Sequence, residues 1–311
     1  MEYRIEREDD GMTVRDFLRR LRLSTKMIKY LKYRNDGIEV NGVRRTVRHV
    51  LRTGEVLTLT LEDRESSAAV SPVDLPLEIL YEDDDLVIPS KPADMPTHPS
   101  HDHYGDTVAN ALAFRYAQAD VPFVFRPINR LDRNTSGLLL VARNKHAAGL
   151  LSRAMQSGEI RKTYLAVLDG CMEASAGEIN ACLHRTRESI ILREVCPPDA
   201  PDADTALTRY RVLARSDTHT LVVAQPLTGR THQLRVHFAS LGHPITGDDL
   251  YGTPSPHIAR HALHAHALSL THPTSGKELH PVSPLPADFL ALLGEVFPTS
   301  LTEVLDEPIK L

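Results

Sequence analysis

Beyond residue 77 the chain carries more strand-like runs than helical ones, and the two kinds do not alternate. A doubly wound parallel sheet needs a helix between successive strands, so this order predicts a mixed α+β fold instead. Strand patterns fit 77–81 and 86–88, around an acidic turn at Asp83, Asp84 and Asp85, and again 138–142, 163–168, 206–213, 220–224 and 265–270. Helical spacing fits 107–118, 145–156 and 231–241. In the last of these, Thr231 is the expected N-cap, Leu234, Phe238 and Leu241 the buried stripe, and Arg235 a residue at its edge.

The first sixty residues read differently. Val14, Phe17, Leu18 and Leu21 are spaced as one face of a helix capped by Thr13, and Ser24 can cap a second helix holding Met27, Ile28 and Leu31. The exposed side of that pair would show Arg22, Lys26, Lys29 and Arg34. A strand then enters the Asn41-Gly42 turn, and another follows at 56–60. The formal net charge of the whole chain is -5, yet 11–52 holds 12 of the 36 Lys/Arg and only 3 of the 41 Asp/Glu, a local +9. Such a section can neutralise several phosphates, although a solvated basic face explains charge alone equally well. A polar, proline-containing stretch follows, so the expected organisation is a small basic module at 1–62, a linker at 63–76, a larger domain at 77–300 and a tail at 301–311.

Several chemistries lack their signatures. No phosphate loop, dinucleotide turn, H-E-x-x-H or G-x-S-x-G motif occurs. Cys171, Cys182 and Cys196 include no C-x-x-C pair and are read as reduced thiols. His261, His264, His266 and His272 raise a metal hypothesis, but no acidic or cysteine partner stands at ligand spacing nearby, and hydrogen-bonding histidines are the simpler reading. No metal and no cofactor is expected. No apolar run is long enough for a membrane span, and the N-terminus has no signal pattern, so a cytoplasmic protein is expected.

Three segments are polar where the surrounding pattern is apolar. Asp132, in Arg130-Leu131-Asp132-Arg133-Asn134-Thr135-Ser136-Gly137, is either a catalytic carboxylate or the cap of a turn through the amides of Asn134 or Thr135. Tyr164, in a strand beginning at Arg161, is either a site residue or a half-buried sheet aromatic. Arg235, in Thr228-Gly229-Arg230-Thr231-His232-Gln233-Leu234-Arg235-Val236-His237, is either a surface charge or a guanidinium that needs a carboxylate partner.

Together with Lys91-Pro92, Gly242-His243-Pro244-Ile245-Thr246-Gly247-Asp248 and Leu263-His264-Ala265, these segments resemble the RluA-type RNA pseudouridine synthase family in motif and order, from about Leu77 to Phe289. The basic module resembles the RNA-binding fold of small ribosomal subunit protein four through Gly37-Ile38-Glu39-Val40-Asn41-Gly42 and Gly54-Glu55-Val56. The resemblance implies a mixed, mostly antiparallel catalytic sheet and isomerisation of uridine to pseudouridine without a cofactor. It implies Asp132 as catalytic aspartate, Tyr164 packed against the base, Arg235 paired with Asp132, and Arg130 in the space left by the flipped uridine. Arg22, Lys26, Lys29, Arg44 and Arg45 are the RNA contacts expected of the module.

The implied partner is structured RNA, ribosomal or transfer, met by a monomer with no role for DNA or membrane. Two departures stand out: Asn129 where many members have His, and Asp94 where Gly is usual. Two rivals remain: a catalytically silent RNA-binding relative, and a hydrolase, which would need a second carboxylate near Asp132 that the sequence does not make evident.

Overall fold

The computed structural model describes residues 1–61, 63 and 65–297. The tail expected at 301–311 and the last three residues of the larger domain lie outside the described residues. Near the N-terminus, Thr13 accepts the backbone N–H of Asp16 and opens the helix Val14–Arg20, and Ser24 accepts that of Met27 and opens Thr25–Tyr33. These helices pack on a four-stranded antiparallel sheet in the order Glu2–Arg4, Val56–Leu59, Ile38–Val40, Val43–Arg44. Asn41 and Gly42, at φ +50° and +72°, make the tight turn between the last two, which only residues tolerant of left-handed backbone can do. Phe17, Leu18, Leu31, Leu57 and Leu59 fill this unit's own core.

Among the described residues the larger sheet has ten strands. Its path runs Ala176–Asn180, Leu207–Arg215, His219–Pro226, Arg161–Asp169, Leu263–Thr271, Ser136–Leu138, Leu86–Lys91, Glu78–Glu82, with Glu278–Leu279 and Val141–Ala142 pairing off it. Every pairing is antiparallel except that of Ser136–Leu138 with Leu263–Thr271. The mixed, mostly antiparallel sheet is the expected one. The run expected as one strand at 138–142 is divided, because the facing Pro89 has no N–H to donate to a continuous ladder. Leu138, Leu140 and Ala142 pack with Ala147 and Leu151 of the helix Lys145–Gln156, whereas Leu139 and Val141 join the main core. Burial on both faces explains why the run is apolar without alternation.

Among the strands that escaped sequence reading are Ala176–Asn180 and the hairpin Cys182–Arg185 with Arg193–Cys196. They are rich in charge and hold few buried residues, so periodicity is weak there. The helix Ala287–Val296 was also missed, although it buries Phe289, Leu292, Leu293 and Val296. The stretch expected as a linker is no loose tether. Arg126 holds Asp63 through two hydrogen bonds of 2.7 and 2.8 Å, and Ser71 O accepts Asn110 Nδ2 at 2.7 Å.

Candidate active site

Asp132 lies on the loop that feeds the strand Ser136–Leu138, and five side chains from distant parts of the chain fix that loop. Thr97 Oγ1 both donates to the carbonyl of Leu131, at 2.9 Å, and accepts its N–H, at 3.2 Å. Lys91, 1% exposed, donates to the carbonyls of Pro92, Met95 and Arg133, each at 2.8 Å. Arg260 donates to Asn134 O at 3.1 Å, while His261 and His264 meet the hydroxyls of Thr135 and Ser136 at 2.9 Å. Gly137, at φ +109°, lies so near Ala265 that a Cβ would run into its carbonyl. The backbone is therefore held on both sides of Asp132, leaving the carboxylate the freer group. The turn-cap reading fails here: the N–H of Thr135 bonds the backbone carbonyl of Asp132, not its side chain.

The carboxylate faces the helix Gln233–Ser240. Arg235 Nη1 reaches Asp132 Oδ2 at 3.4 Å, but Nε and Nη2 bind Asp248 Oδ2 and Oδ1, both at 2.7 Å. Arg235 is thus buried rather than at the stripe's edge, and its principal partner is Asp248, which sequence reading missed. Burial opposes both charges of that inner pair, yet the bidentate bond outweighs it, raising the guanidinium pKa and lowering that of Asp248. The guanidinium also lies over the Tyr251 ring, 5.2 Å from its centroid. The helix begins one residue later than expected: its N-cap is His232, not Thr231, and Leu241 is 43% exposed.

Arg130, Asp132, Lys162, Tyr164, His232 and Arg235 line one cleft of about 830 Å³. Tyr164 is buried in the central strand Arg161–Asp169, where burial first and the charge of Asp132 second push its phenol upward, so it stays neutral and cannot serve as a base near neutral pH. Burial lowers Lys162. Lys91 falls to about 7 through burial, with the charge of Asp132 acting the other way. Arg130 is exposed at the cleft rim, and Asn129 accepts the N–H of Leu140 at 2.8 Å, which ties the loop to the sheet. Asp94 stands at φ +62°, a conformation Asp tolerates, and pairs with Arg133 at 2.5 Å.

A family profile described as RNA pseudouridylate synthase matches residues 85–240, which contain the Asp132 loop, the Tyr164 strand and the Arg235 helix. The chain belongs to the RluA-type RNA pseudouridine synthase family. This synthase is 35% identical over 282 residues to the uncharacterized RNA pseudouridine synthase YjbO of Bacillus subtilis strain 168, covering 91% of this chain and 98% of that one. It is 34% identical over 310 residues to ribosomal large subunit pseudouridine synthase D of Nitrosomonas europaea, covering 92% and 87%. Among solved structures, human RNA pseudouridylate synthase domain containing 4 superposes with a TM-score of 0.60 at 25% identity, over 70% of the synthase and 92% of that chain. The domain containing 1 protein gives 0.56 at 32%, over 68% and 84%.

The fold thus gathers Asp132, Tyr164, Arg235 and Arg130 of the synthase into one cleft. Arg22, Lys26, Lys29, Arg44 and Arg45 are exposed on the N-terminal unit and do not line it. Arg34 is turned away, bound to Asp36 at 3.1 and 3.2 Å. Among the described residues no group of three or more His, Cys, Asp or Glu is placed to hold a metal ion. His261 and His264 brace the Asp132 loop, His266 meets the Ser283 carbonyl at 3.2 Å, and His272 meets Asp83 at 2.8 Å.

Proposed function

We propose that this enzyme converts specific uridines of large-subunit ribosomal RNA to pseudouridine, with Asp132 as the catalytic carboxylate and no cofactor. The observation that carries this reading is an aspartate fixed by its backbone at a cleft, touching a buried arginine through one oxygen while the other has no hydrogen-bond partner among the described residues. The reaction breaks the bond from uracil N1 to ribose C1′, turns the base, and forms a bond from C5 to C1′; the C5 hydrogen is released and N1 gains one. Nothing is oxidised and no group is gained, so one ionised carboxylate acting as nucleophile or base suffices.

The target must leave its stack to reach Asp132, at a cost of a few kcal/mol that Tyr164 packing and insertion of Arg130 offset. The exposed basic residues of the N-terminal unit supply the phosphate contacts. Relatives named ribosomal large subunit pseudouridine synthase D support ribosomal RNA as the substrate. The same reading makes the enzyme a cytoplasmic monomer with free thiols at Cys171, Cys182 and Cys196. A second carboxylate does lie near Asp132, but Asp248 is fully buried and locked by Arg235, which disfavours a hydrolase.

Tritium release from RNA labelled at uridine C5, with the RNA mass unchanged, is the expected result. Free uracil would mean hydrolysis, and neither product would mean binding alone. Mapping the pseudouridines lost from ribosomal and transfer RNA of a deletion strain identifies the substrate; losses confined to transfer RNA would overturn the ribosomal assignment.

A further inference from the structure

The two oxygens of Asp132 have different surroundings. Arg235 Nη1 lies 3.4 Å from Oδ2, and His232 Nε2 lies 4.0 Å from that same atom. His232 has an unusual backbone: it sits at φ +57° and ψ 17°, left-handed for a residue that is neither Gly, Asn nor Asp, and its side chain makes no capping bond to the helix it precedes. Such strain persists only where the surroundings impose it, and here it turns the imidazole into the cleft.

The ring is oriented from behind. His232 Nδ1 lies 2.7 Å from Tyr251 Oη, which in turn accepts the backbone N–H of Arg193 at 2.9 Å. A phenol oxygen already accepting one donor points its own hydrogen at the other neighbour, so Tyr251 donates to Nδ1 and the neutral ring carries its proton on Nε2. Burial keeps the imidazole neutral: it lowers the His232 pKa, against the charge of Asp132 and with that of Arg235 and Arg193. A neutral donor can orient a carboxylate without supplying a second positive charge.

Resting on the assignment of Asp132 as the catalytic carboxylate, we propose that His232 is a positioning residue whose Nε2–H, aimed by Tyr251, joins Arg235 on Asp132 Oδ2 once RNA fills the cleft and thereby presents Oδ1 to the uridine. The 4.0 Å separation is longer than a hydrogen bond and contracts on binding, as catalytic contacts in empty sites commonly do.

The test uses the full-length protein and three variants. His232→Phe keeps a ring without a donor, His232→Gln keeps an amide N–H near the Nε2 position, and Tyr251→Phe keeps the ring over Arg235 without its hydroxyl. In single-turnover tritium release from ribosomal and transfer RNA transcripts, His232→Phe is expected to be slower by about 10-fold or more with RNA affinity unchanged. His232→Gln should stay within about threefold of wild type and Tyr251→Phe should fall between. Nitrogen-15 NMR of histidine-labelled protein, free of RNA, should show His232 as the Nε2–H tautomer in wild type and a mixture in Tyr251→Phe, assigned by the signal missing in His232→Gln.

A wild-type rate in His232→Phe, equal slowing in His232→Gln and His232→Phe, or an Nδ1–H tautomer in wild type would each overturn the proposal. Full activity in Asp132→Asn would instead remove the catalytic assignment on which it rests.

Discussion

Arg235 is shared unequally: it grips Asp248 with two hydrogen bonds of 2.7 Å and reaches Asp132 with one of 3.4 Å. The side chain of Asp248 is 0% exposed and that of Asp132 is 28% exposed. The inner carboxylate neutralises and aims the guanidinium, and the outer one stays open to the cleft.

Asp248→Asn is expected to lower stability by about 3–5 kcal/mol, because it strands a buried guanidinium. Urea unfolding measures this. The folded pKa of Asp248 lies below its ordinary 3.8, so its stabilisation is present above that pH and lost as pH falls through the lower folded value. The deficit of the variant should hold from neutral pH down to about 4 and shrink below it.

Asp132→Asn should reduce tritium release by at least about 10³-fold while RNA affinity stays as in wild type. Full activity in that variant would sink the catalytic assignment.

Burial lowers His264 to about 4 and His261 to about 3, from an ordinary 6.5. Between the ordinary and folded values the unfolded chain binds more protons, so stability must fall as pH drops from about 6.5 toward 4, by up to about 1.4 kcal/mol per unit for each histidine. Urea midpoints across that range give the slope. His264→Asn, which keeps a polar group toward Ser136, should flatten it.

Lys91→Met leaves three carbonyls without their donor and should cost about 2–4 kcal/mol. A stability within 1 kcal/mol of wild type, on the order of a single ordinary hydrogen bond, would mean that the ammonium is not what holds the loop.

Replacing Arg22, Lys26, Lys29, Arg44 and Arg45 by alanine should weaken RNA binding and flatten its dependence on salt, the log–log slope falling by about 0.7–0.9 for each phosphate that is no longer neutralised. The stability and the chemical step should be unchanged, since all five are exposed and outside the cleft. Unchanged affinity would remove the N-terminal unit from RNA recognition.

Sequence alone brought out the Asp132 loop, the Tyr164 strand and the Arg235 helix, because each places polar residues inside strong apolar patterns. It also offered the need of Arg235 for a carboxylate, and the implied contact with Asp132 is present at 3.4 Å, but the closer partner went unseen. Asp248 stands 13 residues away, within the Gly242–Asp248 motif, and only the fold brings it beneath the guanidinium. Lys91 and Thr97 were equally opaque. Their partners are backbone carbonyls, and a carbonyl has no residue-specific letter. The histidines read more simply as hydrogen-bonding groups than as ligands, but the sequence could not show that His261 and His264 tie hydroxyls more than a hundred residues upstream. Asn129, a departure from the family pattern, proved a backbone tie to Leu140.

The parallel pairing of Ser136–Leu138 with Leu263–Thr271 has a consequence for assembly. Ser136 and His264 are 128 residues apart, and Thr135 and His261 are 126 apart, so this half of the brace on the Asp132 loop arrives only with the late part of the chain, after the half made by Lys91 and Thr97. A polypeptide ending before Arg260 contains every motif residue of the cleft from Arg130 to Arg235 and still lacks the downstream half of the clamp, Arg260, His261 and His264. Synthesis order therefore places completion of the loop's clamp after all of these motif residues have been made.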